Sequence, residues 1–383
     1  MTNLDPMTWS NWDSIEAAAG AEFIEAGGVR VPRRFGPLER EWHTVRRGVG
    51  LLDARHRAIL SLIGGDRVSF LQGMVTNNVA RLVEGQGCYA ALLTIQGRIV
   101  SDLYVYALSD KLLLDVPAQR TEAVHDALDR LIIADDVEFE QDGIVPLVSV
   151  EGPGAADLLA RVANARVHDL DLCDHGEITI DGVAVGCVAV GQCGEIGYRL
   201  LGAPDSAAAL WQSLRAAGAA PVGFDTLNVL RLEAGIPWFG IDMDEATLVM
   251  EVGLDAAISF NKGCYLGQEV VERVAARGHV NRKLCGLISD GALVPPAGAP
   301  ITHEDKEVGH ITSAAHSLAL GKIIALGYVH RSAFEVGTAL QAMVGETPVA
   351  LTVAALPFHR SQALPVDQKE ARDGKPTGQT LPV

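Results

Sequence analysis

The sequence predicts an α+β fold, with two related α+β lobes forming one core and a small β-barrel following at the C-terminus. Three observations carry that expectation. Between residues 50 and 142, strand-like runs neighbour one another and are interleaved with helical stretches, unlike a regular strand–helix–strand series. Near residue 144 a similar layout begins again. After Gly278 helical periodicity gives way to short strands separated by Gly, Pro and charged turns, as in a barrel or Greek key.

Taken in order, residues 1–35 carry Trp9 and Trp12 and a helical candidate over 15–26, an extension expected to pack on the main body. A helix is expected over 39–47. Gly48-Val49-Gly50-Leu51-Leu52-Asp53 reads as the turn into a strand over 57–63. Gly64-Gly65-Asp66 opens a helix through Met74, with Asp66 as N-cap and Val68, Leu71 and Val75 on one face. Two strands, 88–95 and 99–106, are joined by Gln96-Gly97-Arg98 as a hairpin, and a third covers 111–116. An amphipathic helix over 119–133 and a strand over 136–140 complete the first lobe.

The second lobe opens with a strand over 147–150, then Gly152-Pro153-Gly154 and a helix over 155–162. This Val-Glu-Gly-x-x-Ala-x-x-Leu-Leu layout repeats, weakly, Leu62-Ile63-Gly64-x-x-Arg-x-x-Phe-Leu, so the lobes should be related and should face one another. A cleft between lobes is a usual place for a ligand. Strands over 177–180 and 183–190 flank the Asp181-Gly182 turn. Helices follow over 206–217 and 223–234, the latter stopped by Gly235 and Pro237. Strands over 283–288, 307–313, 323–329, 339–344 and 349–354 build the barrel. The boundaries are therefore 1–35 for the extension, 36–278 for the core (lobes roughly 53–142 and the remainder) and 279–360 for the barrel. A polar tail with three prolines, 361–383, is expected to be disordered.

Hydrophobic residues make up 48% and charged residues 21%, ordinary for a globular protein. The net charge of −17 sets a field that repels phosphate backbones and anionic lipid, so nucleic acid and membrane surfaces are poor partners. No secretory leader pattern and no membrane-spanning apolar run is visible. The six cysteines form no Cys-x-x-Cys pair, and no histidine lies at a zinc spacing from them, so no metal site is expected. Scattered thiols of this kind fit a reduced, cytoplasmic protein.

The densest chemistry lies in Asn261-Lys262-Gly263-Cys264-Tyr265-Leu266-Gly267-Gln268-Glu269. Cys264 is two residues from a lysine and just ahead of a helical pattern, and both a cation and a helix N-terminus favour a thiolate. A lone cysteine is more commonly a small buried hydrophobe.

Lys262-Gly263-Cys264-Tyr265-x-Gly267-Gln268-Glu269 resembles the signature of YgfZ-type folate-binding proteins. These form a branch of the glycine-cleavage T-protein (aminomethyltransferase) superfamily that includes iron–sulfur assembly factors. The resemblance covers roughly residues 37–357. It includes Gly50-Leu51-Leu52-Asp53, Phe70-Leu71-Gln72, Thr76-Asn77, Gln96-Gly97-Arg98 with Asp102, Gly194-Glu195-Ile196-Gly197-Tyr198, Arg231-Leu232-Glu233-Ala234-Gly235 and Gly240-Ile241-Asp242-Met243-Asp244. It implies a T-protein-like core holding tetrahydrofolate or a derivative. Glu195 would meet the pterin, Arg231 the carboxylate tail, and Tyr198, Lys262 and Arg98 would complete the site. Two positions depart from the superfamily. The consecutive acids of the hairpin read Ser101-Asp102, and an acid usual after Gly197-Tyr198 is Arg199. Serine cannot hold a charge or accept a proton as a carboxylate does. The resemblance thus implies a folate-binding protein supporting iron–sulfur cluster assembly or repair, with client or assembly proteins as partners and Cys264 as the working thiol. The alternative is a tetrahydrofolate-dependent aminomethyltransferase or demethylase working through Asp102.

Overall fold

The computed structural model describes residues 6–278 and 280–361. Most strand and helix runs form close to where the pattern places them, and the strand Arg57–Ile63 coincides with it. The exceptions have local causes. The helical candidate over 15–26 splits, because the helix Pro6–Ala18 stops ahead of Gly20, which has φ 95°. The β-prone Glu22–Ala26 then pairs with Val29–Arg34 as a hairpin. The candidate over 119–133 is helical only over Thr121–Asp129, since its last buried position is Leu128 and Ile133 is solvent-exposed. Asp66 stands at the expected N-cap but makes no cap bond, and its Oδ2 accepts from the N–H of Asp136.

An antiparallel sheet and a mixed sheet form the core. The first has five strands in the order Gly87–Leu93, Ile99–Ala107, Leu112–Pro117, Arg57–Ile63, Glu138–Glu140. The second has six, in the order His175–Ile180, Val183–Val188, Gly197–Gly202, Val145–Glu151, Gly50–Asp53, Ala220–Pro221. The segment Gly50–Asp53 corrects the sequence reading. It is a strand of the second sheet, antiparallel to Val145–Glu151, and not merely a turn leading into the first. The weak repeat is real in three dimensions. Each lobe has a strand ending at a glycine of positive φ (Gly64 at 106°, Gly152 at 122°) and then a helix, Arg67–Met74 or Ala155–Ala163.

Alternation along each strand sorts the side chains into two faces. In the first sheet Leu62, Leu103, Val105, Leu114 and Val116 pack with Phe70, Leu71, Val124 and Leu128 of the helical layer. In the second, Leu147, Tyr198 and Leu200 pack with Leu158, Leu159, Leu210 and Trp211. Trp12 of the N-terminal helix joins that core edge-on to Trp211, with ring centroids 5.3 Å apart, which docks the extension on the body. Its burial is worth about 2–3 kcal/mol. The opposite faces of the sheets turn to each other, where Ile59, Tyr106 and Leu113 of one meet Val188, Val190 and Leu201 of the other.

The C-terminal strands close a six-stranded barrel, Arg282–Ser289, Lys322–His330, Lys306–Ser317, Pro300–His303, Ala339–Val344 and Thr347–Ala354. Pro300–His303 is a strand the sequence pattern did not show. Leu284, Ile324, Leu326 and Tyr328 join the barrel to Phe239, Met243 and Val249 of the core. No helix among the described residues is long and apolar enough to cross a membrane, and none of the six cysteines, all of them described, is in a disulfide. The tail from 362 on lies outside the described residues.

Candidate active site

The facing sheets place a cluster of charged and aromatic side chains between the lobes. Strand register decides which residues reach it. Asp102 lies opposite Ala91, and Tyr104 lies opposite Tyr89 and, on the next strand, Asp115. Tyr89, Asp102, Tyr104 and Asp115 therefore share the inward face. Ser101 lies opposite Leu92, on the helical side, is fully buried, and donates from Oγ to the carbonyl of Asp102 at 2.8 Å. The departure at Ser101 thus empties nothing between the lobes, and the acid that faces the other lobe is the one this chain keeps.

Asp102 is 7% exposed. Its Oδ2 accepts from the Tyr89 hydroxyl at 3.1 Å and stands 3.9 Å from Arg57 Nη1, while its Oδ1 is buried with no hydrogen-bond partner. Burial raises this carboxyl above its ordinary value, against the opposing pull of Arg57 and the Tyr89 hydrogen bond. Arg57 is held elsewhere, with Nε 2.7 Å from Asp115 Oδ1 and Nη2 2.7 Å from the Asp115 carbonyl. Asp115 Oδ2 also accepts from Arg199 of the second lobe and from the Tyr106 hydroxyl. Burial alone would raise Asp115, but the two guanidiniums outweigh it and hold the carboxyl below the usual range. The acid missing at Arg199 is answered by this acid from the opposite sheet.

His56 flanks the cluster. Its Nε2 lies 2.8 Å from Gln192 Oε1, and its ring meets Trp238 and Phe224, whose own centroids are 4.9 Å apart. Burial, then the fields of Arg199 and Arg57, push the imidazole down to about 4, so it is neutral near pH 7. His56 Nδ1 and Gln192 Nε2 are buried without partners. Such unsatisfied groups cost stability unless a ligand or water meets them.

The other residues named from the resemblance lie in different settings. Tyr198 faces the helical core of its lobe and donates to the Val167 carbonyl at 3.3 Å, pointing away from the lobe interface. Arg231 is fully buried. It pairs with Asp242 and donates to Asn228 Oδ1 and the Ile236 carbonyl, while its Nη2 is buried without a partner, so most of the guanidinium is already engaged inside the protein. Asp242 in turn accepts from Thr312 and Ser313 of the barrel, which makes the pair a joint between core and barrel. Glu195 is held by Arg46 at 2.5 Å and by Ser361, and Arg46 reaches on to Glu233 at 2.6 Å.

Lys262 donates to the carbonyls of Gln72, Val75 and Asn77 at 2.5–2.7 Å, where the helix Arg67–Met74 ends. Its donors are spent on backbone that has no helical partner, rather than on a ligand or on Cys264. Arg98 donates to the Ala246 carbonyl and is exposed at the hairpin tip. Cys264 is the one exposed cysteine of the six. Its loop is anchored on the hairpin, because a side chain at Gly267 would meet the Thr94 carbonyl at 2.6 Å.

Of the candidates read from the sequence, only Asp102 reaches the lobe interface with an unpaired polar atom. Arg57, Tyr89, Asp115, His56 and Gln192 were not legible as a group. Asp115 did leave a trace, since a single acid within Leu112-Leu113-Leu114-Asp115-Val116 must be paired if that strand is buried.

Residues 13–262 match the GCVT N-terminal domain, and residues 282–359 match the glycine cleavage T-protein C-terminal barrel domain. An aminomethyltransferase of Halothermothrix orenii is 32% identical over 350 residues, covering 90% of this chain and 98% of that protein. One from a Nostoc species is 31% identical over 351 residues, covering 89% and 93%. The crystal structure of the glycine cleavage system aminomethyltransferase T of Bartonella henselae superposes with a TM-score of 0.84 at 25% identity, over 91% of this chain and 97% of that one. All three are named for aminomethyl transfer, which favours the transferase alternative over the iron–sulfur reading of the Cys264 motif. With both of its domains matched and relatives aligned almost end to end, the chain belongs to the glycine cleavage T-protein family.

Proposed function

We propose that this chain binds tetrahydrofolate or a derivative between its two lobes and transfers a one-carbon unit from an aminomethyl donor to it. The observation that carries the reading is Asp102, a buried carboxyl with one oxygen unpaired at the lobe interface. The neighbouring residues fit such a ligand. Phe224, Trp238 and His56 offer ring faces to a flat heterocycle. Asp102 Oδ1, His56 Nδ1 and Gln192 Nε2 are two acceptors and a donor awaiting partners on its polar edge. The folate, when bound, supplies the nitrogen that accepts the carbon unit. The protein's part is to hold that ring, exclude water, and take or return a proton at Asp102 Oδ1. A carboxyl raised by burial is suited to that exchange. Tyr89 orients Asp102 through its other oxygen.

The test is turnover. The purified protein is incubated with tetrahydrofolate and an aminomethylated dihydrolipoyl carrier, and ammonia and the one-carbon folate are measured together. Equal release of both, lost in Asp102→Asn, is the expected result. Tight binding of (6S)-5-formyltetrahydrofolate with no turnover of any aminomethyl or methylamine donor would overturn the transferase reading.

A second reading, support of iron–sulfur assembly in client proteins within a reducing cytoplasm, is favoured by the exposure of Cys264 while the other five thiols are buried. A thiolate there could ligate iron, with a partner completing the set. Loss of cluster-enzyme activity on Cys264→Ser, in cells depending on this chain, would support it. An unchanged activity would remove it.

A further inference from the structure

Between the lobes, charges alternate along a short chain of side chains: Asp102, Arg57, Asp115, Arg199. The first three come from one sheet and the last from the other. The contacts are uneven. Arg57 makes two close hydrogen bonds to Asp115, one to the carboxylate and one to the carbonyl, yet stays 3.9 Å from Asp102, beyond hydrogen-bonding distance. Nothing in the sequence separation explains the preference, since both acids lie on strands of the same sheet. The register does. Arg57 lies opposite Pro117 on the strand that carries Asp115, whereas Asp102 is one strand further away. Arg199 and the Tyr106 hydroxyl fix the other oxygen of Asp115, so that the carboxylate cannot swing from Arg57.

We infer that Asp115 is a positioning residue, which holds Arg57 away from Asp102 and so leaves Asp102 Oδ1 open for the reacting nitrogen. This rests on the transferase reading above, in which Asp102 exchanges the proton. Without the Asp115 carboxylate, Arg57 keeps only its Nη2 bond to the carbonyl of residue 115, and the guanidinium can turn about that bond to close the 3.9 Å gap and pair with Asp102. The groups facing Asp102 are Tyr89 from the neighbouring strand, Arg57, and more distantly Asp115. Among them only Arg57 is a cation; losing the distant Asp115 charge acts in the same direction but is the smallest of these effects, so the approach of Arg57 dominates the change. An opposite charge brought into contact lowers a carboxyl by about 1–3 pH units. Asp115 supplies in addition the acid that Arg199 requires, which ties the position of Arg57 to the docking of the two lobes.

The experiment compares the parent protein with Asp115→Asn, Asp115→Glu, Arg199→Gln and Asp102→Asn. Two readouts are taken across pH: kcat/KM for transfer, and calorimetric binding of (6S)-5-formyltetrahydrofolate. The acid limb of the parent should move down by about one unit or more in Asp115→Asn and be restored in Asp115→Glu. Arg199→Gln removes a cation, while the Tyr106 hydroxyl and both Arg57 bonds still hold Asp115, so its limb should move up or stay, never down. A purely structural role would lower activity in both variants without moving the limb of Asp115→Asn down. If Asp115→Asn does not fold, Arg199→Gln and Asp115→Glu still decide, because a downward shift in either overturns the inference and none supports it. If the acid limb of ligand binding persists in Asp102→Asn, the transferase reading of Asp102 fails. If it vanishes there but stays unmoved in Asp115→Asn, the positioning role alone fails.

Discussion

Replacing Arg231 by methionine tests whether that residue is a ligand or a structural joint. In the structure its guanidinium is fully buried against Asp242, and its stem lies near Trp238, with the guanidinium 5.0 Å from the ring centroid. Asp242 also accepts from the Trp238 N–H at 3.1 Å and from Thr312 at 2.6 Å. Methionine keeps most of the volume but leaves Asp242 without its counter-charge. Removing one partner of a buried ion pair costs about 3–5 kcal/mol, because the remaining charge is uncompensated. With an unfolding entropy of about 2.1 cal/mol/K per residue over roughly 350 residues, that corresponds to a fall of about 4–7 °C in Tm. The assay is thermal unfolding followed by circular dichroism, paired with calorimetry of (6S)-5-formyltetrahydrofolate well below the transition. The expected outcome is a clear loss of stability with little change in affinity. If Arg231 bound the folate tail, the loss of a charge-assisted contact worth about 1.5–3 kcal/mol would weaken binding about 10- to 150-fold. An unchanged Tm with such a loss of affinity would refute the reasoning.

Three further outcomes follow from the same contacts. Lys262→Met removes the donor that closes three carbonyls at a helix end and should destabilise the protein by about 3 kcal/mol, read as a shift in urea midpoint, with folate affinity intact. Asp102→Asn should fold normally and lower transfer by about 10²–10⁴-fold; full activity would remove Asp102 from the chemistry. His56 falls to about 4 in the folded state from an ordinary value near 6.5, so the unfolded chain binds the extra proton between those values. Stability should therefore drop as pH falls from about 6.5 to 4, by on the order of 3 kcal/mol relative to His56→Gln. Parallel pH profiles for the two proteins would show that His56 is not buried neutral.

By itself the sequence determined the local elements and the family. Alternating apolar runs, turn dipeptides and helical stripes mark most strands and helices, because those periods reflect which face each segment buries. The Lys-Gly-Cys-Tyr motif, the hairpin with Asp102 and the Gly-Glu-Ile-Gly-Tyr run were enough to indicate the T-protein superfamily. Tertiary structure decided what these residues do. Gly50–Asp53 belongs to the second sheet through pairing with Val145–Glu151, a choice made by partners about a hundred residues away. Register put Ser101 among the helices and Asp102 at the lobe interface, although the two are adjacent in sequence. The same alternation turned Tyr198 into a core and Arg199 toward Asp115. Lys262 and Arg231 look like ligands in a motif, but packing gives them buried partners before any ligand arrives. A charge brought out of water must be paired wherever the fold places it, and where those pairs lie is settled only when the sheets meet.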